Sequence, residues 1–169
     1  NSGGAMLGEN QTTCDSNIGF LNYDIGHVFS TGGGGIAALN SPCNNGSKAR
    51  GVTGSPGPVG DAFDIDYVAH EIGHQFGGNH TQNNNCQRSG VSVEPGSAST
   101  IMGYAGICAP NVQNNSDDYF HSITLQEIGA FITGGGHTCP VKTPLSNSSP
   151  SVTTSSASVS VPISTPFFI

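Results

Sequence analysis

The stretch His70-Glu71-Ile72-Gly73-His74-Gln75-Phe76-Gly77-Gly78-Asn79-His80 holds residue types that bind a transition metal and move a proton. On a helix, residues four apart lie one above the other, so His70 and His74 share a face and can chelate one ion. Glu71 then projects beside them, near enough to hold a water at the ion without being a ligand. Gly77 can leave the helix with a positive φ and swing His80 round as a third ligand. Three neutral imidazoles and one open position describe a catalytic zinc site, not a closed structural one. Zinc in such a site brings its water to a pKa of about 7 and polarises a carbonyl oxygen. Glu71 is placed to take that water's proton as general base and pass it to a leaving amine. Spacing does not name the substrate. A bare HExxH is a short pattern; the added Gly and third His, on a helix with an apolar opposite side, carry the reading.

That chemistry needs elements to hold it. Ile65, Val68, Ile72 and Phe76 recur three and four apart, which predicts an amphipathic helix. Asp61 or Asp64 can cap its start, and Gly77-Gly78 can end it. Upstream, Ile25, Val28, Phe29, Ile36 and Leu39 suggest two short strands interrupted by the glycines 32–35. Residues 40–58 read as turns throughout. A polar loop, 81–99, ends in the apolar pair Ile101-Met102. Ile123, Leu125, Ile128, Phe131 and Ile132 predict a last helix, with Thr124 and Glu127 as a capping box and glycines 134–136 as its stop. The first 19 residues show only weak helical character, over 9–18. After Cys139-Pro140 the composition turns to Ser, Thr and Pro. We expect a domain over 1–142, a linker over 143–160 and the start of a following module at 161–169.

Composition excludes other classes. The chain has 169 residues, with 25 Gly, no Trp and only 9% charged. Its four cations, Lys48, Arg50, Arg88 and Lys142, face 11 acids for a net charge of −7. Scattered cations cannot form the stripe a phosphate backbone requires, so nucleic acid is not a partner. No apolar run approaches the ~20 residues of a membrane span. No initiator Met or targeting segment is seen, and the sequence stops within the apolar run 166–169, so it reads as a piece of a longer protein with further domains. Five Cys beside a hydrolase motif suggest an oxidising, extracellular setting, secreted or cell-surface. His27, His121 and His137 stand at no metal spacing and read as surface or hydrogen-bonded residues. Calcium is an option at Asp117-Asp118, but nothing indicates it, and capping the next helix is the simpler reading. Asn79-His80-Thr81 is a glycosylation sequon in which a glycan would crowd the metal.

HEIGHQFGGNH is similar to the long zinc signature HExxHxxGxxH of the metzincin metallopeptidases, and 99–104, Ser-Thr-Ile-Met-Gly-Tyr, resembles their Met-turn. The resemblance implies that His70, His74 and His80 bind zinc, Glu71 is the general base and Met102 forms a hydrophobic floor. Within the clan the chain looks most like the reprolysin-like (adamalysin-type) peptidases, particularly bacterial secreted members, over roughly residues 18–140. The fold implied is α/β of the α+β type, zincin-like, with a mixed sheet above the active-site helix and a small irregular lower half. Only about twenty residues precede the edge strand, so upstream strands and a helix are expected to be missing. The family holds an extended peptide antiparallel to that edge strand, which makes Gly33, Gly34, Gly35, Ile36, Ala37, Ala38 and Leu39 candidate substrate-binding residues. Ile107 and Pro110 suggest an apolar wall for the residue beyond the cut. Thr81 stands where reprolysins commonly carry Asp. Tyr104 is more like the astacin and serralysin Met-turn, where that Tyr can ligate zinc and help stabilise the oxyanion; a hydroxyl resting on a backbone partner is its plainer role. The resemblance favours Cys43–Cys139, with Cys86–Cys108 bracing the loop before the Met-turn wall and Cys14 left over. The function implied is a secreted zinc metalloendopeptidase acting on proteins or peptides. The alternatives are a non-catalytic adhesion or binding module on the same scaffold, which intact Glu71 argues against, and an amidase, which the Met-turn argues against.

Overall fold

A computed structural model describes residues 2–136, 138–146 and 151. His137, most of the expected linker and the stretch 161–169 lie outside them.

The chain opens on helix α1 (Gly3–Cys14), which continues as a π-helical turn, Asp15–Gly19. It starts well before the weak signal over 9–18, because polar side chains and not an apolar stripe dock it. Gln11 is buried, accepting from Ala49 N at 2.8 Å and donating to Asn45 O at 3.2 Å, and Asn10 donates to Ala49 O at 2.7 Å. Lys48 is buried against the same unit, donating to the Phe20 and Tyr23 carbonyls with its ammonium 4.2 Å from the centre of the Tyr23 ring.

Two strands form where expected, β1 (Val28–Ser30) and β2 (Gly34–Ala37), but they do not pair with each other. Between them lies β3 (Gly51–Gly54), inside the stretch read as turns. β3 runs parallel to β1, with Val28 opposite Val52, and antiparallel to β2, with Ile36 opposite Val52. All four of its residues are buried. With glycine at both ends and turn residues beyond, only Val52 and Thr53 could signal a strand, too few to show alternation. β2 is left as an edge.

The zinc-motif helix is continuous but not uniform. α2 (Asp61–Phe63) passes into a π-helical segment, Asp64–Ala69, and then into α3 (His70–Gln75). Gly60, at φ 78°, is the N-cap residue and no side chain caps the helix, so neither Asp61 nor Asp64 plays that part. An i→i+5 turn holds more residues than an α turn and shifts the phase of the face. Ile65, Val68, Ile72 and Phe76 are therefore only half-buried, while His70, Glu71 and Gln75 are buried. Gln75 fixes α3 to the sheet layer, donating to Gly26 O and Ser41 Oγ at 3.1 Å each, with its Oε1 2.7 Å from His27 Nδ1. His27 thus has the hydrogen-bonded role expected of it.

The last helix, α4 (Ser122–Gly134), is not capped by Thr124 and Glu127. His121 is its N-cap, its Nδ1 accepting from Ile123 N at 3.2 Å. Thr124 is buried one turn in, and Glu127 is drawn away to Asn79. Nor does Asp117 cap it; its carboxylate accepts from Gln113 and Tyr119. Cys43 pairs with Cys139 and Cys86 with Cys108, while Cys14 is unpaired. The whole is a mixed α+β fold with a three-stranded mixed sheet. No helix among the described residues is long and apolar enough to cross a membrane.

Candidate metal centre and cleft

His70 and His74 sit one α-helical turn apart on α3. Gly77, at φ 95°, takes the chain out of the helix, a conformation that strains any residue with a Cβ, and His80 returns toward the other two. One ring nitrogen from each imidazole lies within 4.8 Å of the others.

Main-chain carbonyls set which nitrogens face inward. His70 Nδ1 lies 2.7 Å from Ile101 O, His74 Nδ1 2.7 Å from Gly78 O and His80 Nδ1 3.0 Å from Gln87 O. A carbonyl only accepts, so each Nδ1 carries the proton and each Nε2 presents a lone pair. The Nε2 atoms of His74 and His80 are 3.0 Å apart. Two lone pairs at that distance repel, and a cation in front of them removes the conflict. Ligand nitrogens about 2.0–2.1 Å from a tetrahedral ion stand about 3.3 Å from each other, close to the 3.0 Å between His74 and His80, while the three together lie within 4.8 Å. The donor set fits zinc. Burial, and for His70 and His74 a neighbouring imidazole as well, lowers all three pKa values, His70 to about 3 and His74 to about 4, so all three are neutral and able to ligate a metal.

Glu71 is 7% exposed, and its Oε2 is buried with no hydrogen-bond partner among the described residues. Desolvation pushes its carboxyl up to about 8. The backbone of β2 passes directly over it: a Cβ on Gly35 would collide with the Glu71 carboxylate. Met102 is fully buried, packed against α3 so closely that a Cβ at position 73 would meet its sulfur. Tyr104 is half-buried, its ring centre 4.6 Å from that of His80, and no hydrogen bond holds its hydroxyl among the described residues. Burial and then the Glu71 charge raise its pKa.

Two hollows share Gly35, Glu71 and Tyr104. One, about 470 Å³, is walled by Gly34, Tyr67, Ile107 and the Cys86–Cys108 pair. The other, about 440 Å³, is bounded by Ile36, Ala37, Leu39, His74 and His80. Of the candidate substrate strand, Gly33 and Ala38 line neither, and Pro110 lines neither as well. A larger hollow of about 590 Å³ lies behind α3, around Ile25, Phe76 and Ile132, away from these groups.

The residues missed from sequence are those that hold the three histidines in place. Asn79 donates to Glu127 from both its backbone N, at 2.9 Å, and its Nδ2, at 2.7 Å. Nδ2 also lies 3.4 Å from Gly77 O, so a glycan there would break the loop carrying His80. Carbonyl partners leave no signature in residue type. Glu127 had a signature, but one that also fits a capping box.

The model of the reprolysin-like metallopeptidases, family M12B, matches residues 1–130. No curated protein matches the chain.

Proposed function

Since the chain belongs to the reprolysin-like M12B metallopeptidases, we propose that it is a secreted zinc-dependent endopeptidase in which His70, His74 and His80 hold the metal and Glu71 is the general base. The observation that carries this is the pairing of three carbonyl-oriented imidazoles with a buried, partnerless carboxylate oxygen. Zinc bound there supplies Lewis-acid polarisation of the scissile carbonyl and an acidified water.

The protein's residues do the rest. An extended substrate lies antiparallel along the free edge of β2, bonded through its main chain, with side chains entering the two hollows. Ile107 walls the side beyond the cut. Glu71 takes a proton at Oε2, where no competing donor satisfies it, and delivers it to the leaving amine. Burial raises the proton affinity of this carboxylate in the metal-free protein; a cation held by the three imidazoles would draw it down again and leave the carboxylate ionised to accept that proton. Met102 supports α3 from below. The unengaged Tyr104 hydroxyl is available to donate to the oxyanion. A scaffold used only for binding has no need of a buried base.

Two disulfides fit an oxidising, extracellular location. We assign the catalytic domain to 1–142, the linker to 143–160 and the beginning of another module to 161–169. The test compares zinc content and casein cleavage for the parent and Glu71→Ala. The variant is expected to keep zinc and lose cleavage by about 10²–10⁴-fold. Equal cleavage by both proteins overturns the mechanism.

A further inference from the structure

Glu94 belongs to the loop between His80 and the Met-turn and touches no metal ligand, yet it is only 6% exposed. A buried carboxylate is costly unless donors surround it. Here they do. Oε1 accepts from Ser99 N at 3.1 Å and Thr100 N at 3.2 Å, and Oε2 accepts from Thr100 Oγ1 at 2.5 Å. These donors hold the carboxyl below its ordinary range although burial raises it.

The bonds lead in two directions. Thr100 precedes Ile101, whose carbonyl takes the Nδ1 proton of His70 and so aims that ligand's Nε2. In the other direction, Glu94 N donates to Thr81 O at 2.9 Å, and Thr81 N donates to Met102 O at 3.1 Å. Thr81 directly follows His80. One residue therefore ties the Met-turn, the carbonyl behind His70 and the segment that follows His80 into a single unit. No sequence pattern marks it, because its partners are backbone groups of a loop.

We propose that Glu94 is a positioning residue for the metal centre, its carboxylate setting His70 through Thr100 and Ile101 while its backbone N–H anchors Thr81, next to His80. The inference rests on the zinc-peptidase reading above. It differs from a general stabilising role in what it requires: loss of the carboxylate must disturb the metal itself. Gln at this position keeps the size and one acceptor for the Ser99 and Thr100 N–H groups, but it removes the charge and puts an NH₂ before Thr100 Oγ1, which can meet it only by turning round to accept.

The experiment uses the full chain as parent, Glu94→Gln and Thr100→Val, the last removing the hydroxyl from the receiving end while keeping its shape. Zinc affinity is measured by competition with a chelator, and the absorption bands of the cobalt-substituted proteins report ligand geometry. Both variants are expected to lose about 10–100-fold in zinc affinity, the range for groups behind metal ligands. Their cobalt bands shift, and kcat falls with KM unchanged. Zinc affinity and cobalt spectra equal to the parent's, with only the unfolding temperature lowered, overturn the proposal. If Glu94→Gln does not fold, Thr100→Val decides it alone. A parent that binds no zinc overturns the underlying reading, and this inference with it; a parent that binds zinc beside unaffected variants overturns this inference only.

Discussion

Neutral imidazoles and a proton-retaining carboxylate come from the same cause, burial, acting on groups of opposite charge type. The consequences for stability therefore oppose each other in the metal-free protein. His70 and His74 titrate near 6.5 when unfolded but near 3 and 4 when folded, so the unfolded state binds more protons and stability falls as pH drops from about 6.5 toward 4. Glu71 titrates near 4.5 unfolded and about 8 folded; its contribution is full below about 4.5 and is lost as pH rises through about 8. After chelation, Glu71→Gln should gain stability over the parent progressively between about pH 5 and 8, read as melting temperature against pH. An offset independent of pH contradicts the assignment. For Tyr104, whose ring packs on His80 and whose hydroxyl has no hydrogen bond among the described residues, we expect Tyr104→Phe to lower kcat by about 10²–10³-fold, as for removal of one oxyanion donor, with little change in zinc content. Unchanged kcat leaves the ring with a packing role only.

At the scale of elements, the site depends on how closely β2 crosses α3. Gly35 is the point of approach, where a methyl group would displace the Glu71 carboxylate. Gly35→Ala should keep zinc but cut cleavage by about a hundredfold, since a shift of about 1 Å in a catalytic group is enough. Gly129→Ala, on α4, is the control: nothing lies within 4 Å of a Cβ there, and activity should stay at the parent level. Comparable losses in both variants argue against the contact. The elements also show where periodicity stops being informative. α1 docks through Gln11 and Asn10, and the π-helical segment Asp64–Ala69 breaks the α-helical repeat assumed for Ile65, Val68 and Ile72, which are all half-buried. Both depart from the apolar stripe that a sequence pattern can detect.

Over the whole molecule, two disulfides close loops of very different length. Cys43–Cys139 spans 96 residues and Cys86–Cys108 spans 22, which chain entropy converts to about 4.7 and about 3.4 kcal/mol. Replacing the first pair by serines should lower the unfolding temperature more. Replacing the second should alter KM more, because Cys86 and Cys108 wall the hollow beside Glu71. The opposite ranking in melting and kinetic measurements refutes this division. The sequence by itself determined the groups capable of chemistry and the helix that carries them. A four-residue spacing on a helix, a glycine able to take φ 95° and a chain with five cysteines are local or compositional facts. Only the tertiary structure decided that β3 is the central strand, that Glu127 reaches Asn79 instead of capping α4, and that Ile101, Gly78 and Gln87 turn the three Nε2 atoms inward. The reason is that every residue carries a carbonyl and an N–H; which of them meets a histidine depends on where distant segments pack, and no side-chain type records it.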